Sequence, residues 1–161
     1  MDIMLTGQLA PVSSSFCDRV SQHHRIIASS ADINQSYIGE IYKSFNYDVN
    51  SEAFSRLFNV YSISTVIYFA NRPELGNNAM EQLDQLDKVL SLCAANDVKQ
   101  FVFVSSTYIY NGLTEVDEST EVNPKDNEGI LLWSCEKLCD YYAKNKGISI
   151  VTIHAPCMFG R

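Results

Sequence analysis

The segment that most constrains this chain is Gln100-Phe101-Val102-Phe103-Val104-Ser105, a run that is apolar at consecutive positions rather than at every second one. A strand with one face in water alternates with period two, whereas a strand apolar on both sides must be covered on both, as in a parallel sheet layered between helices. Just upstream, Leu83, Leu86, Val89, Leu90, Cys93 and Ala94 recur at helical spacing and supply one such cover. Parallel strands also need a crossover connection rather than a tight turn. Strands and helices should therefore alternate along the whole chain.

They do. Asp2-Ile3-Met4-Leu5-Thr6 reads as a first buried strand ending at Gly7, and residues 13–21, with Phe16 and Val20 one turn apart, as a short helix. Residues 25–28 read as a second strand and 43–47 as a weaker third. Ser51 caps a helix carrying Ala53, Leu57 and Val60, and the strand 65–70 follows. Residues 111–126, with Gly112, Pro124 and many acids, read as a loop. A helix over 128–146 then stops at Gly147 in the C-cap role, before a last strand at 148–154. This order predicts an α/β, doubly wound, mostly parallel sheet with right-handed crossovers and helices on both faces, built as one domain over residues 1–161.

Charge and cysteine usage narrow the function. The 161 residues carry 12 Lys plus Arg against 19 Asp plus Glu, a net charge of −7, which argues against nucleic-acid binding by this domain. No apolar run approaches the ~18 residues of a membrane span. The five cysteines are odd in number and lack CxxC spacing, as expected of reduced thiols in a cytoplasmic protein. Cys135 and Cys139, four apart on the last helix, have no His or carboxylate pattern to complete a metal site, so they are read as core or surface thiols and no metal is expected. His23 and His24 are assigned to an exposed turn before the second strand.

From the first strand onward the chain resembles the extended short-chain dehydrogenase/reductases, the NAD-dependent epimerase/dehydratase family. Thr6-Gly7-Gln8-Leu9-Ala10-Pro11-Val12-Ser13 occupies the frame of the family's TGxxGxxG turn. Tyr47-Asp48-Val49 is similar to its GDV step, and residues 66–70 to its VIHLAA strand. Residues 98–106 resemble VKRFVFVSS, Tyr108-Ile109-Tyr110 leads into its VYG, and residues 136–160 resemble its EKL…VTILR…VYGP ending. The resemblance implies a Rossmann-like dinucleotide domain, with the family's substrate domain absent from this chain.

The resemblance also implies a catalytic Tyr-x-x-x-Lys pair with a Ser or Thr. Ser106 stands at the Ser/Thr position. Counting on from Pro124 places Glu128 at tyrosine and Leu132 at lysine, and the same register brings Glu136 and Gly147 onto the family's helix glutamate and terminal glycine. A rival frame puts Trp133 at tyrosine and Lys137 at lysine; neither retains the pair. A carboxylate does not reproduce a phenol poised by an ammonium, so family-type catalysis is not expected.

For the cofactor, the resemblance implies Gly7, Ala10 and Ser13 at the phosphate turn, Ser29 after the second strand, Asp48 and Val49 near adenine, and Ala70 beside the dinucleotide. Gly7 keeps the first turn, while Ala10, Pro11 and Ser13 add bulk or remove an N–H. The acid expected to hold the adenine ribose is replaced by Ser29 and Ser30. Asp48 reads equally as an adenine contact or a solvated loop acid. The reading favours no cofactor, with NAD or NADP as the alternative.

Between residues 111 and 140, eight acids stand against two lysines, which concentrates negative charge around the would-be active site and disfavours anionic sugar nucleotides. His154 replaces the family's strand-end arginine and is read as a satisfied interior or rim side chain. Leu131, Leu132 and Trp133 are read as core packing or as a homodimer face along helix 128–146. The leading expectation is a non-catalytic, epimerase-like domain serving as a sensing or interaction module for an unidentified small molecule, with no membrane partner and set within a longer protein such as a transcriptional regulator. The alternative is the cofactor domain of an NAD(P)-dependent nucleotide-sugar epimerase, dehydratase or reductase.

Overall fold

The structure, a computed structural model, describes residues 1–9, 13–31, 33, 35–70, 79–111, 113 and 115–156. Its elements run β1 (Asp2–Gly7), α1 (Ser13–Val20), β2 (Arg25–Ser29), β3 (Tyr37–Ile38), β4 (Tyr42–Phe45), α2 (Glu52–Val60), β5 (Ile63–Phe69), α3 (Ala79–Ala95), β6 (Gln100–Ser106), a turn of 3-10 helix (Thr107–Tyr110), α4 (Asn127–Lys146) and β7 (Ser149–Ala155). The sheet order is β3-β4-β2-β1-β5-β6-β7. Every neighbouring pair is parallel except β3 and β4. The chain therefore forms the doubly wound Rossmann-like sheet expected from its sequence. Strand order reverses between β1 and β5, the kind of crevice where such sheets bind ligands beyond their carboxyl ends.

The two-sided character of β6 is plain in the packing. Phe101 and Phe103 join Met4, Ile27 and Val66 on one face, under Phe54 and Leu57 of α2, Leu86 and Leu90 of α3, and Leu131 and Cys135 of α4. Val104 joins Ile3, Leu5, Ile26 and Ala28 on the other, covered by Phe16, Cys17 and Val20 of α1. Phe101 and Phe103 are fully buried, and each such ring contributes about 2–3 kcal/mol of burial. On β7, Val151 and Ile153 remain 43% and 47% exposed.

The capping residues act as expected. Ser51 accepts the Phe54 N–H at 3.1 Å and opens α2. Gly147, at φ +70°, closes α4 in the left-handed region. The sequence reading missed β3: a two-residue antiparallel strand with exposed Tyr37 and Ile38 carries no alternation to read. It also missed the 3-10 turn within the segment after β6. Among the described residues, no helix is long and apolar enough to cross a membrane.

Candidate functional site

β1 and β5 are pressed together where the sheet order reverses. Gly7 has φ +89°, and a Cβ there would lie 2.1 Å from the Phe69 carbonyl oxygen, so only glycine fits. The next residue, Gln8, donates its N–H to that same carbonyl at 3.0 Å. Ser30 donates its hydroxyl to the Gly7 carbonyl at 2.8 Å, tying the end of β2 to the turn. Ser29 is fully buried and donates to the Tyr47 carbonyl at 3.4 Å.

Beyond β4, Val49 is buried and Asp48 is exposed. One Asp48 carboxylate oxygen accepts the Asn50 N–H at 2.7 Å, and its carbonyl accepts the Ser51 N–H and hydroxyl, so Asp48 builds the turn into α2. Ala70, half-buried, donates its N–H to Val104 at 3.0 Å. The structure thus gathers Gly7, Ser29, Asp48, Val49 and Ala70 along the carboxyl ends of β1, β2, β4 and β5. Ala10 lies outside the described residues. Ser13 opens α1, and its side chain lies outside them too.

The would-be catalytic region lies at the end of β6. Ser106 is half-buried and caps the 3-10 turn, its hydroxyl accepting the Tyr108 N–H at 3.4 Å. Asp126 caps α4 by accepting the Gly129 N–H at 2.7 Å. Gly129 sits tight against the 3-10 turn, since a Cβ there would lie 3.0 Å from the Tyr108 carbonyl and 2.9 Å from Pro124 Cβ. Glu128 is half-buried in the first turn of α4. Leu132 is only 3% exposed and packs with Ile109 and Tyr110, beside Ala70 and Val122. The lysine position of the first frame is therefore filled by packing.

The rival pair faces the other way. Trp133 is 39% exposed, the Lys137 ammonium lies 5.7 Å from its ring centroid, and that ammonium also bonds Asp140 at 3.0 Å. Leu131 and Leu132 are core residues as one sequence reading had them, whereas Trp133 lies on the outer face of α4 with Ile130 and Tyr141.

A polar chain missed by sequence reasoning lies beside Leu132. Ser105 donates to Glu136 Oε1 at 2.6 Å, His154 Nε2 lies 3.1 Å from the same oxygen, and His154 Nδ1 lies 2.9 Å from the Tyr110 hydroxyl. A neutral imidazole satisfies both contacts by donating from Nε2 and accepting at Nδ1. Burial, then the negative charges of Glu136, Asp117 and Glu118, push the Tyr110 phenol up, so it stays protonated and donates. This chain joins β6, the 3-10 turn, α4 and β7. Replacement of the expected arginine by His154 was its signal; the sequence did not show which partners it meets.

Cys17, Cys93, Cys135 and Cys139 are free and buried. Burial pushes the Cys93 and Cys135 thiols up to about 12 and raises Cys139 as well, which keeps them as unreactive core residues. Among the described residues, no three His, Cys, Asp or Glu side chains gather as a metal site. His23 is exposed and His24 half-buried, in the turn before β2.

A model of the NAD dependent epimerase/dehydratase family matches residues 3–161. Over 83 residues the chain is 29% identical to YtcB, an uncharacterized UDP-glucose epimerase of Bacillus subtilis (strain 168), covering 51% of this chain and 26% of that protein. The fold is similar to UDP-glucuronic acid 4-epimerase from Bacillus cereus in complex with NAD, with a TM-score of 0.81 and 20% identity over 97% of this chain and 56% of that one. It is also similar to UDP-glucose 4-epimerase from Thermotoga maritima with UDP-glucose, with a TM-score of 0.79 and 16% identity over 96% and 55%. At these identities the structural likeness shows the fold. The chain spans about a quarter of the curated relative and little more than half of the solved structures.

Proposed function

Since this chain belongs to the NAD-dependent epimerase/dehydratase family, we propose that it is the cofactor-binding part of an NAD(P)-dependent nucleotide-sugar epimerase, dehydratase or reductase. The observation that carries this is Gly7: its positive φ and its close packing against the Phe69 carbonyl keep the tight glycine turn after β1 at the switch point, beside which dinucleotide-binding sheets place the pyrophosphate. Asp48 keeps an exposed carboxylate at the adenine end, and half-buried Ala70 supplies apolar surface along the same edge. A bound nicotinamide supplies hydride chemistry. The residues of this chain bind and orient it, and Ser106 stands at the end of β6 to hydrogen-bond a substrate oxygen.

Leu132 supports a second reading. A buried aliphatic side chain at the lysine position neither holds a ribose nor lowers a neighbouring acid's pKa, which favours a non-catalytic sensing or interaction module that binds the dinucleotide or a related nucleotide. The outer face of α4, with Ile130, Trp133 and Tyr141 exposed, supports a homodimer on either reading, and sedimentation showing only monomer at high concentration contradicts that pairing. Four free thiols support a cytoplasmic setting.

Calorimetric titration with NAD tests the cofactor reading. Micromolar binding supports it; absence of heat at millimolar NAD overturns it. Incubating the NAD-loaded protein with UDP-glucose then separates the two readings, since conversion of the sugar supports the enzyme and binding without conversion supports the module.

A further inference from the structure

The geometry points to a second small-molecule site at the opposite, amino edge of the sheet, one that takes a free α-amino acid with an apolar side chain. A recess of about 370 Å3 lies there, between the connection from α2 to β5 and the connection from α3 to β6. Its size falls at the lower end of the range for small-molecule sites, about 300–1,000 Å3. Every residue that lines it is described, and none belongs to the dinucleotide edge.

Two opposite charges stand over this recess. Asp97 and Lys99 both line it, and both are exposed. Among the described residues, neither side chain makes an ion pair or a hydrogen bond, and the two do not pair with each other. By contrast, Arg25 is bonded to Asp2 at 2.9 Å and Arg56 to Glu52 at 2.6 Å. Asp97 also holds φ +53°, a left-handed conformation that glycine adopts at less cost. The turn after α3 therefore carries a carboxylate where glycine would be the less strained residue.

The helix ends act in the same direction. The last residues of α2 line the recess, and α3 ends two residues before Asp97. Neither helix has a basic residue in its last turn, whereas α4 carries Lys144 and Lys146 there. Their open carbonyl ends hold partial negative charge and, with Asp97, favour an ammonium group. Lys99 supplies the charge for a carboxylate. Buried Phe58 and Ile63, with half-buried Tyr61, give the recess an apolar side. An ammonium and a carboxylate on one small frame, with an aliphatic side chain, match this set of groups. A nucleotide, whose charge is all negative, does not.

Amide chemical-shift mapping of the intact chain with L-leucine tests this. Saturable shifts at Tyr61, Asp97 and Lys99, with a Kd of about 1 mM or below, are expected. Two analogues divide the charges: isoamylamine lacks the carboxylate and isocaproate lacks the ammonium. Each should bind at least about tenfold more weakly, and binding of either as tight as that of leucine overturns the assignment. Asp97→Gly removes the carboxylate while keeping the fold, because glycine accepts that φ, and should also weaken leucine at least about tenfold. An unchanged Kd in that variant, or no saturable shift in the original chain at about 10 mM leucine, overturns the site.

Discussion

The two halves of the sheet's carboxyl edge show two kinds of constraint. Around β1, β2 and β4 the site is made of backbone. Gly7 is fixed by a carbonyl 2.1 Å from where its Cβ would stand, and the serines of β2 are locked to neighbouring carbonyls. Around β6, α4 and β7 the site is made of side chains, and there the positions expected to do chemistry hold Glu128 and Leu132. A cradle that is part of the strand crossing cannot drift without breaking the sheet. A lysine on a helix face can be replaced by leucine with a gain in packing. Gly7 is therefore held more tightly by its surroundings than a residue on a helix face would be.

This contrast is open to mutation. Gly7→Ala should have the largest effect, combining a steric conflict with backbone carbonyl and a strained positive φ. A loss of about 4 kcal/mol or more is expected in urea unfolding. A mild effect would mean that the β1–β5 crossing is not fixed by glycine. Leu132→Lys should cost about 3 kcal/mol, because it places an ammonium among Ile109, Tyr110 and Val122 without a counter-ion. A stable variant that also binds NAD more tightly would instead show that the lysine site is still open.

Glu136→Leu removes the acceptor shared by Ser105 and His154, and should cost about 2 kcal/mol in the same assay. His154→Arg keeps a donor toward Glu136 and should cost less than Glu136→Leu. Smallest is Gly147→Ala, at about 1 kcal/mol. Gly147 shares the positive φ of Gly7, but its Cβ would meet nothing within 4 Å, so conformational strain acts alone. The difference between the two glycine variants measures what the Phe69 carbonyl contributes.

The strand and helix order was legible because burial on both faces leaves a mark on sequence, as in β6, and because Ser51 and Gly147 are local signals. The carboxyl-edge residues were legible as a set because each follows a strand. The register from Pro124 put Leu132 at the lysine position, but the burial of Leu132 and the exposure of Lys137 were not legible. Spacing fixes neighbours along α4 but not which side of the helix meets the 3-10 turn. The Tyr110–His154–Glu136–Ser105 chain was hidden for the same reason, since its members come from four elements. Asp48 was read two ways, and the structure shows it building the turn before α2 with its residue exposed.

The most direct test of the proposed dinucleotide edge at the carboxyl ends of β1, β2, β4 and β5 is amide chemical-shift mapping of the intact chain titrated with NAD. The expected perturbations fall on Gly7, Ser30, Asp48 and Ala70, with the amides along the interior of α4 unmoved. Shifts confined to α4 and β7, or none at saturating NAD, would contradict it.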